Sequence, residues 1–291
     1  MSTNEIWVAT DSAASFRPGE ALDLGIEVMP LHLMWPDGTQ SSDAEMSPQE
    51  FYARMEKEGI PQTSGANVGE FMSFYRGLAE RGAEKILSIH ITGKKSVVLN
   101  SAIIASHEIM DEFPGLEIRT VDSKTLCVAQ LFVVEHARNM VIAGASFSEA
   151  ETAAIEVADK TSEEAVLSTL TNVLKSGRLK GASALAAAAL GILPIISITD
   201  GDIITSEKVM GNPSRARRRM VDRIAAQVDS RGVPERIGVL FTYDREVGDE
   251  VTARLLEKIG TEVIIETPRE AGPILGVHTG PGAAGVGIKW K

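Results

Sequence analysis

The sequence predicts an α/β fold of two domains, an N-terminal domain with a parallel βαβ sheet and a C-terminal domain with a mixed sheet. Strand-like and helix-like segments alternate through the first half of the chain, which is typical of parallel βαβ units. Three predicted strands of this half end in polar residues, at Asp11-Ser12, Thr92-Gly93 and Asp122-Ser123. In the second half Asp200-Gly201-Asp202 separates two apolar runs and predicts a hairpin, which requires antiparallel strands. Because ligands bind beyond the carboxyl ends of parallel strands, the three polar ends predict a shared crevice.

The predicted elements of the first half are short apolar strands and amphipathic helices. Asn67 with Glu70 three residues later is an N-cap signature and places one helix start. The predicted strands are Ile6 to Ala9, Ile26 to Trp35, Ile86 to Ile91 and Leu116 to Val121. The predicted helices are Pro48 to Lys57, one through Phe71, Phe74 and Leu78, one through Ile103, Ile104 and Ile109, and a long one through Val133, Ala137 and Val141.

The pattern changes near Gly144-Ala145-Ser146, and a helix from Phe147 to about Lys160 leads into the second half. We place the domain boundary there, giving domains of residues 1–160 and 161–291. The strands predicted after it are Ala165 to Leu167, Pro194 to Ile198, Ile203 to Val209, Ile237 to Tyr243 and Glu262 to Glu266. The helices predicted after it are the alanine helix Ala184 to Leu190, one carrying Arg215 to Arg219, and Val247 to Ile259.

Composition and charge exclude several classes of function. A formal net charge of −11 argues against binding to nucleic acid or to an anionic membrane, because like charges repel. No window approaches the roughly 18 apolar residues of a membrane span, and no signal peptide is visible, so we expect a cytoplasmic protein without membrane insertion. The single cysteine, Cys127, excludes an internal disulfide. The basic run Arg215 to Arg219 is either a solvated helix face or a docking patch for a partner.

The C-terminal segment 276–287 holds His278 and Thr279 among residues that are mostly Gly, Ala and Pro. It lies between the strand-like runs Pro273 to Leu275 and Val286 to Trp290. Small residues let a backbone approach a ligand closely, so the segment suits a wall against a bound group. An ordinary Gly-Pro turn between two strands is the alternative.

The remaining chemistry favours anion binding. The five histidines are far apart and show no metal-ligand spacing, and the sequence has neither a P-loop nor a Gly-x-Ser-x-Gly elbow, so we expect no metal and no cofactor. Hydroxyl groups together with an arginine and a histidine are suited to holding a carboxylate or phosphate; the candidates are Thr63, Ser64, Ser88, Thr92, Arg178 and His278. The alternatives are an acyl hydrolase with Ser123 or Ser88 and His278 as a Ser/His pair, a phosphotransferase, and an interaction module that docks through Arg215 to Arg219.

A set of short motifs resembles the DegV family of bacterial fatty-acid-binding proteins over nearly the whole chain. The motifs are Thr10-Asp11-Ser12, Pro61-x-Thr63-Ser64, Thr92-Gly93, Val121-Asp122-Ser123, Leu174-Lys175-x-Gly177-Arg178, Gly191-Ile192-Leu193-Pro194-Ile195, Asp200-Gly201 and His278-Thr279-Gly280-Pro281-Gly282. Each motif is weak alone, and their order and spacing make the set specific.

The resemblance implies a non-catalytic carrier that holds a long-chain fatty acid between its two domains and presents it to a partner fatty acid kinase. It places the fatty acid carboxylate against Thr63, Ser64, Thr92, Gly93, Arg178 and His278, with the acyl chain in a buried apolar tunnel. The chain departs from the family pattern at Gly65-Ala66, where Gln-Pro is common, and at Lys94-Lys95-Ser96. Lys94 is therefore a candidate for a further cationic contact with the head group.

Overall fold

The computed structural model describes residues 6–177 and 191–291. The first half alternates strands and helices around a parallel sheet. Its elements are β1 (Ile6–Asp11), α1 (Glu20–Leu24), β2 (Ile26–Met29), β3 (His32–Met34), β4 (Gln40–Ser42), α2 (Pro48–Glu58), β5 (Gln62–Ser64), α3 (Val68–Glu80), β6 (Lys85–His90), α4 (Val98–Glu112), β7 (Glu117–Asp122), α5 (Cys127–Ile142) and α6 (Phe147–Asp159).

The second half contributes a mixed sheet with helices. Its elements are β8 (Thr161–Val166), α7 (Thr171–Ser176), β9 (Ile192–Thr199), β10 (Asp202–Met210), α8 (Pro213–Arg231), β11 (Arg236–Phe241), α9 (Arg245–Ile259), β12 (Ile264–Ile265), β13 (Arg269–Glu270), α10 (Pro273–Thr279) and β14 (Ala284–Lys289). The predicted alanine helix Ala184 to Leu190 lies outside the described residues.

Sheet topology confirms the predicted fold class. Strands β2, β1, β6 and β7 form a parallel sheet in that order. Strands β10, β9, β8, β14, β11 and β12 form the second sheet, which is antiparallel up to β11 and parallel from β11 to β12 and β13. The parallel sheet ends with β7 and the mixed sheet begins at Thr161; the domain boundary at residue 160 stays a prediction.

Local sequence explains where several helices begin. Capping boxes open α2 at Ser47, α3 at Asn67 and α6 at Ser146, each with a glutamate at the third helical position. The start predicted at Asn67 is therefore confirmed. The hairpin prediction is confirmed too, since Asp200 and Gly201 have φ of 46° and 76° between β9 and β10, as a type I′ turn requires.

Two strand predictions are wrong. The run Ile26 to Trp35 forms two strands: β2 joins the parallel sheet, and β3 joins a three-stranded antiparallel sheet with β4 and β5. The run is interrupted because Pro30 has no N–H to continue the first ladder and the Leu31 N–H donates to Asp43 instead. The run Pro273 to Leu275 opens the helix α10, because proline at the first helical position leaves no hydrogen bond unmade there. This helix ends at Gly280, whose φ is 68°.

Helix α5 lies between the two sheets and is buried on nearly every side. Val133, Val134 and Ala137 pack in the core cluster of the parallel sheet. On the side facing the mixed sheet, Val128 meets Gly238 of β11 and Gly287 of β14. A helix with apolar residues on more than one face is expected in such a position.

A chain of ion pairs also joins the two halves. The guanidinium of Arg269 is almost fully buried and binds Glu20 of α1 at 2.7 Å and Glu266 at 3.0 Å. Glu266 also pairs with Arg236 of β11, and Arg236 pairs with Glu135 of α5. Buried charges need such partners, because an unpaired one would be costly.

The close approach of α5 to β14 predicts the cost of adding one methyl group. A Cβ at Gly287 would lie 2.5 Å from Val128 Cγ1 and 3.0 Å from the backbone nitrogen of Ala129. We expect Gly287→Ala to lower the free energy of unfolding by about 1–3 kcal/mol through overpacking. Urea unfolding measures this.

Gly77→Ala is the matched control, because nothing lies within 4 Å of a Cβ at this position of α3. It should be neutral or more stable by about 1 kcal/mol, since alanine favours helix. Wild-type stability in Gly287→Ala would contradict the close packing of α5 on β14.

Candidate functional site

A cavity lies between α5, α10, the loops after β5 and β6, and one face of the mixed sheet. It offers about 150 Å³ to the centres of water molecules, whereas one water needs about 10–15 Å³ by the same measure. The cavity can therefore take a ligand much larger than water. Most of its wall is apolar; representative side chains are Leu126, Ile196, Ile198, Leu240, Ile274 and Leu275.

One part of the wall is polar and contains Thr63 and His278. Thr63 lies on β5, which pairs with β3 at Leu33, and His278 lies in the last turn of α10. The Thr63 hydroxyl and His278 Nε2 are 3.1 Å apart and both residues line the cavity. His278 is the basic residue in the last turn of α10, and helix C-termini favour positive charge. Ser64 also lines the cavity and is exposed.

The loop after β6 adds two lining residues that were not assigned as site residues from the sequence. Lys95 and Ser96 line the cavity, and a Cβ at Gly65 would lie 3.8 Å from Ser96 Oγ. Ser96 therefore lies next to the end of β5 that carries Thr63 and Ser64. The one indication in the sequence that these two residues could belong to the site was that their loop departs from the family pattern.

Thr92 and Gly93 lie beside the cavity but are not among the described residues that line it. The buried Thr92 hydroxyl donates to the Gly201 carbonyl at 3.2 Å, and the Gly93 N–H donates to Asp122 at 3.3 Å. Contact with a carboxylate would require Thr92 to exchange that partner. The assignment of these two residues to the ligand stays a prediction.

Lys94 is held by the hairpin between β9 and β10. Its ammonium lies 3.1 Å from both Asp200 and Asp202, and Lys95 is 3.1 Å from Asp202. These carboxylates raise the pKa of Lys94 through hydrogen bonds. A contact of Lys94 with a head group would require its ammonium to exchange or share these partners, and it stays a prediction. Arg178 lies outside the described residues.

The serines considered for hydrolysis lie elsewhere. Ser88 Oγ is 2.7 Å from His90 Nε2, and His90 Nδ1 is 3.0 Å from Asp11, so the three follow the order of a Ser-His-Asp triad. All three are fully buried, and Tyr75 donates to Ser88. Ser123 donates to the Thr125 carbonyl. Neither serine is among the described lining residues, and the buried group links β1 to β6.

The basic run on α8 is partly used in ion pairs. Arg217 binds Glu250 of α9 at 2.6 Å, and Arg219 binds Glu207 of β10 at 2.6 Å. These contacts give two of its arginines a structural role. Docking through the run stays a prediction.

Glu163 of β8 is a cavity residue that the sequence reading missed. It is 2% exposed and lines the cavity beside Cys127. Burial raises the pKa of the Glu163 carboxyl to about 8, although Cys127 and the Ala129 N–H act against the shift as hydrogen-bond donors. Burial likewise raises the pKa of the Cys127 thiol.

Within 6–177 and 191–291, no three His, Cys, Asp or Glu side chains are grouped so that they could hold a metal ion. A candidate membrane span is also absent from the helices of these ranges.

Comparisons with known proteins agree on one family. A family model described as "Uncharacterised protein, DegV family" matches residues 5–291. A DegV domain-containing protein of Listeria innocua is 30% identical over 289 residues, which cover 99% of this chain and 98% of the relative. One of Streptomyces coelicolor is 30% identical over 285 residues, covering 98% of each.

Solved structures with the same fold include two bacterial proteins. A Thermotoga maritima protein described as revealing fatty acid binding function has a TM-score of 0.81 and 25% identity, covering 98% of this chain and 99% of its own. A stearic acid-binding protein of Eubacterium ventriosum has a TM-score of 0.88 at 24% identity, covering 98% of each chain. The second shows the fold alone.

The raised pKa of Glu163 predicts a pH-dependent stability. Between its usual value of 4.5 and about 8 the native carboxyl keeps a proton that the unfolded chain releases. Its stabilising contribution to the free energy of unfolding is complete below pH 4.5. Between pH 4.5 and about 8 this contribution falls by up to about 1.4 kcal/mol for each pH unit, and it is lost once the pH has risen through 8. We therefore expect Glu163→Gln to gain stability relative to wild type from about pH 5 to about pH 9.

Thermal unfolding of both proteins across this range measures the difference. Glu257→Gln, which changes an exposed glutamate of α9, is the control for the loss of one carboxylate outside the cavity. A constant difference between Glu163→Gln and wild type would contradict the buried, neutral carboxyl.

Proposed function

Because the chain belongs to the DegV family, we propose that it is a carrier that binds a long-chain fatty acid in the cavity and presents it to a partner fatty acid kinase. The observation that carries the proposal is the 3.1 Å contact between Thr63 and His278 at the polar part of an otherwise apolar cavity. The carrier itself performs no chemistry in this proposal.

The apolar wall supplies the affinity for the acyl chain. Each buried methylene contributes about 0.8 kcal/mol, so a long chain gains on the order of 10 kcal/mol before ordering costs. The wall is built mainly from aliphatic side chains of the mixed sheet and α10. Such an aliphatic surface favours contact with hydrocarbon and does not require one conformation of the acyl chain.

The polar part supports binding of the carboxylate. A buried carboxylate without donors would be very unfavourable. The Thr63 and Ser64 hydroxyls can donate to it, and a protonated His278 would add a charge-assisted hydrogen bond. We propose Arg178, Thr92 and Gly93 as further contacts on the strength of the family resemblance.

Presentation to a kinase requires that the head group be reachable from solvent. Ser64, at the polar part of the cavity, is exposed, which supports access by a second protein. The kinase would transfer the terminal phosphoryl group of ATP to the fatty acid carboxylate, giving an acyl phosphate and ADP. The cytoplasmic location expected from the sequence stays a prediction.

Loss of the Thr63 hydroxyl should weaken fatty acid binding. Thr63→Val keeps the shape of the side chain and removes one hydrogen bond to a charged group, worth about 1.5–3 kcal/mol. We expect about a ten- to hundredfold weaker affinity for palmitic acid, measured by displacement of a fluorescent fatty acid from delipidated protein.

Thr63→Ser keeps a hydroxyl and should retain most of the affinity. Thr152→Val changes an exposed threonine of α6 and should bind as wild type does. Equal affinity in Thr63→Val and wild type would show that Thr63 does not hold the carboxylate.

The kinase step is tested by reconstitution. The cognate fatty acid kinase with ATP should form acyl phosphate from palmitic acid bound to this protein and much less from free palmitic acid. The same assay with Thr63→Val measures the effect of poor loading. Absence of acyl phosphate with a fully loaded carrier would contradict the presentation role and leave fatty acid binding intact.

A further inference from the structure

The carboxyl group of Glu163 is out of place in a cavity that binds hydrocarbon alone. It is 2% exposed and lines the cavity, and its Oε2 has no hydrogen-bond partner among the described residues. A buried polar atom without a partner costs about 1–3 kcal/mol. An acyl chain made only of methylenes would not lower this cost, because a methylene cannot form a hydrogen bond with the carboxyl.

The neighbours of Glu163 hold the carboxyl in position but do not use all of its hydrogen-bonding capacity. The Cys127 thiol and the Ala129 N–H, both in the first turn of α5, act on it as donors. Burial nevertheless raises the pKa of the carboxyl to about 8. At neutral pH the group is therefore protonated, so it can donate one hydrogen bond and accept others.

Small residues beside the carboxyl leave room for a substituent. Ala165 of β8 pairs with Gly285 of β14, and both line the cavity. A Cβ at Gly285 would lie 3.5 Å from Glu163 Oε1, at ordinary van der Waals distance, so this glycine lies directly beside the carboxyl. Gly285 and Ala165 therefore place only small side chains next to the Glu163 carboxyl.

Resting on the proposed function, we propose that Glu163 is a specificity-determining residue that selects acyl chains carrying a hydroxyl group, by hydrogen bonding to that hydroxyl inside the cavity. A hydroxyl both donates and accepts, which matches a protonated carboxyl. Sites that hydrogen-bond a ligand hydroxyl discriminate against the analogue that lacks it, because their buried polar atoms are then left unpaired. The preferred ligand is thus a hydroxylated long-chain fatty acid.

The test compares stearic acid with a set of monohydroxystearic acids that carry the hydroxyl at different carbons. Affinity is measured by displacement of a fluorescent fatty acid from delipidated full-length protein. We expect at least one isomer to bind wild type about tenfold tighter than stearic acid, which corresponds to one good buried hydrogen bond.

Glu163→Met and Glu163→Gln separate the role of the carboxyl from its volume. Glu163→Met should lose the preference and bind stearic acid as well as wild type or better, while Glu163→Gln should keep part of the preference through its amide. Ser197→Ala is the control. Its hydroxyl is also buried without a described partner, yet it is not among the described lining residues, so the preference should be unchanged.

Tight binding of stearic acid with weaker binding of every hydroxylated isomer would overturn the inference and leave the proposed function standing. So would a preference that survives in Glu163→Met. Failure of wild type to bind any of these acids would overturn the proposed function, and the inference with it. Circular dichroism of each variant shows that the fold is retained.

Discussion

The burial of α5 between the two sheets is the constraint on which the rest of the structure depends. One side of the helix packs against the parallel sheet through Val133, Val134 and Ala137. The other side contacts the mixed sheet so closely that Gly238 and Gly287 leave no room for a Cβ beside Val128. Because both contacts involve one rigid helix, its position fixes the two sheets relative to each other.

The cavity follows from this arrangement. The start of α5 places Leu126 and Cys127 in the wall, and α10 adds Ile274 and His278. Glycine and alanine on β14 keep the sheet face open there. Polar side chains line the cavity where β5 meets the last turn of α10, at Lys95 and Ser96 of the loop after β6, and at Glu163 and Thr242. The molecule thus has a mostly apolar cavity with a small polar region that contains Thr63 and His278.

The sequence predicted local features well, because their causes are local. Capping at Asn67, the Asp200-Gly201 turn and the long helix through Val133, Ala137 and Val141 all rest on neighbouring residues. The error at Pro273 has a local cause too, since a short apolar run is compatible with strand or helix and proline can open either. Thr63 and His278 are 215 positions apart, so spacing could not pair them, and the family resemblance did.

Tertiary contacts explain what the sequence could not predict. From the sequence, Lys94 is a candidate for contact with the head group, but the hairpin brings Asp200 and Asp202 against its ammonium group. Glu163 stands beside Glu164 in a strand, and nothing in that pair shows which carboxyl faces the cavity. Glu164 instead binds Arg223 of α8 on the other side of the sheet. Only the packing of α5 against the mixed sheet shows that the Glu163 carboxyl, and not that of Glu164, faces the cavity.

The most direct test of fatty acid binding is mass spectrometry of an organic extract from the purified, denatured protein, calibrated against the amount of protein. The account predicts about one long-chain fatty acid per chain, either as purified or after incubation with long-chain fatty acids. An extract that stays empty after incubation with saturated, unsaturated and hydroxylated acids would contradict it.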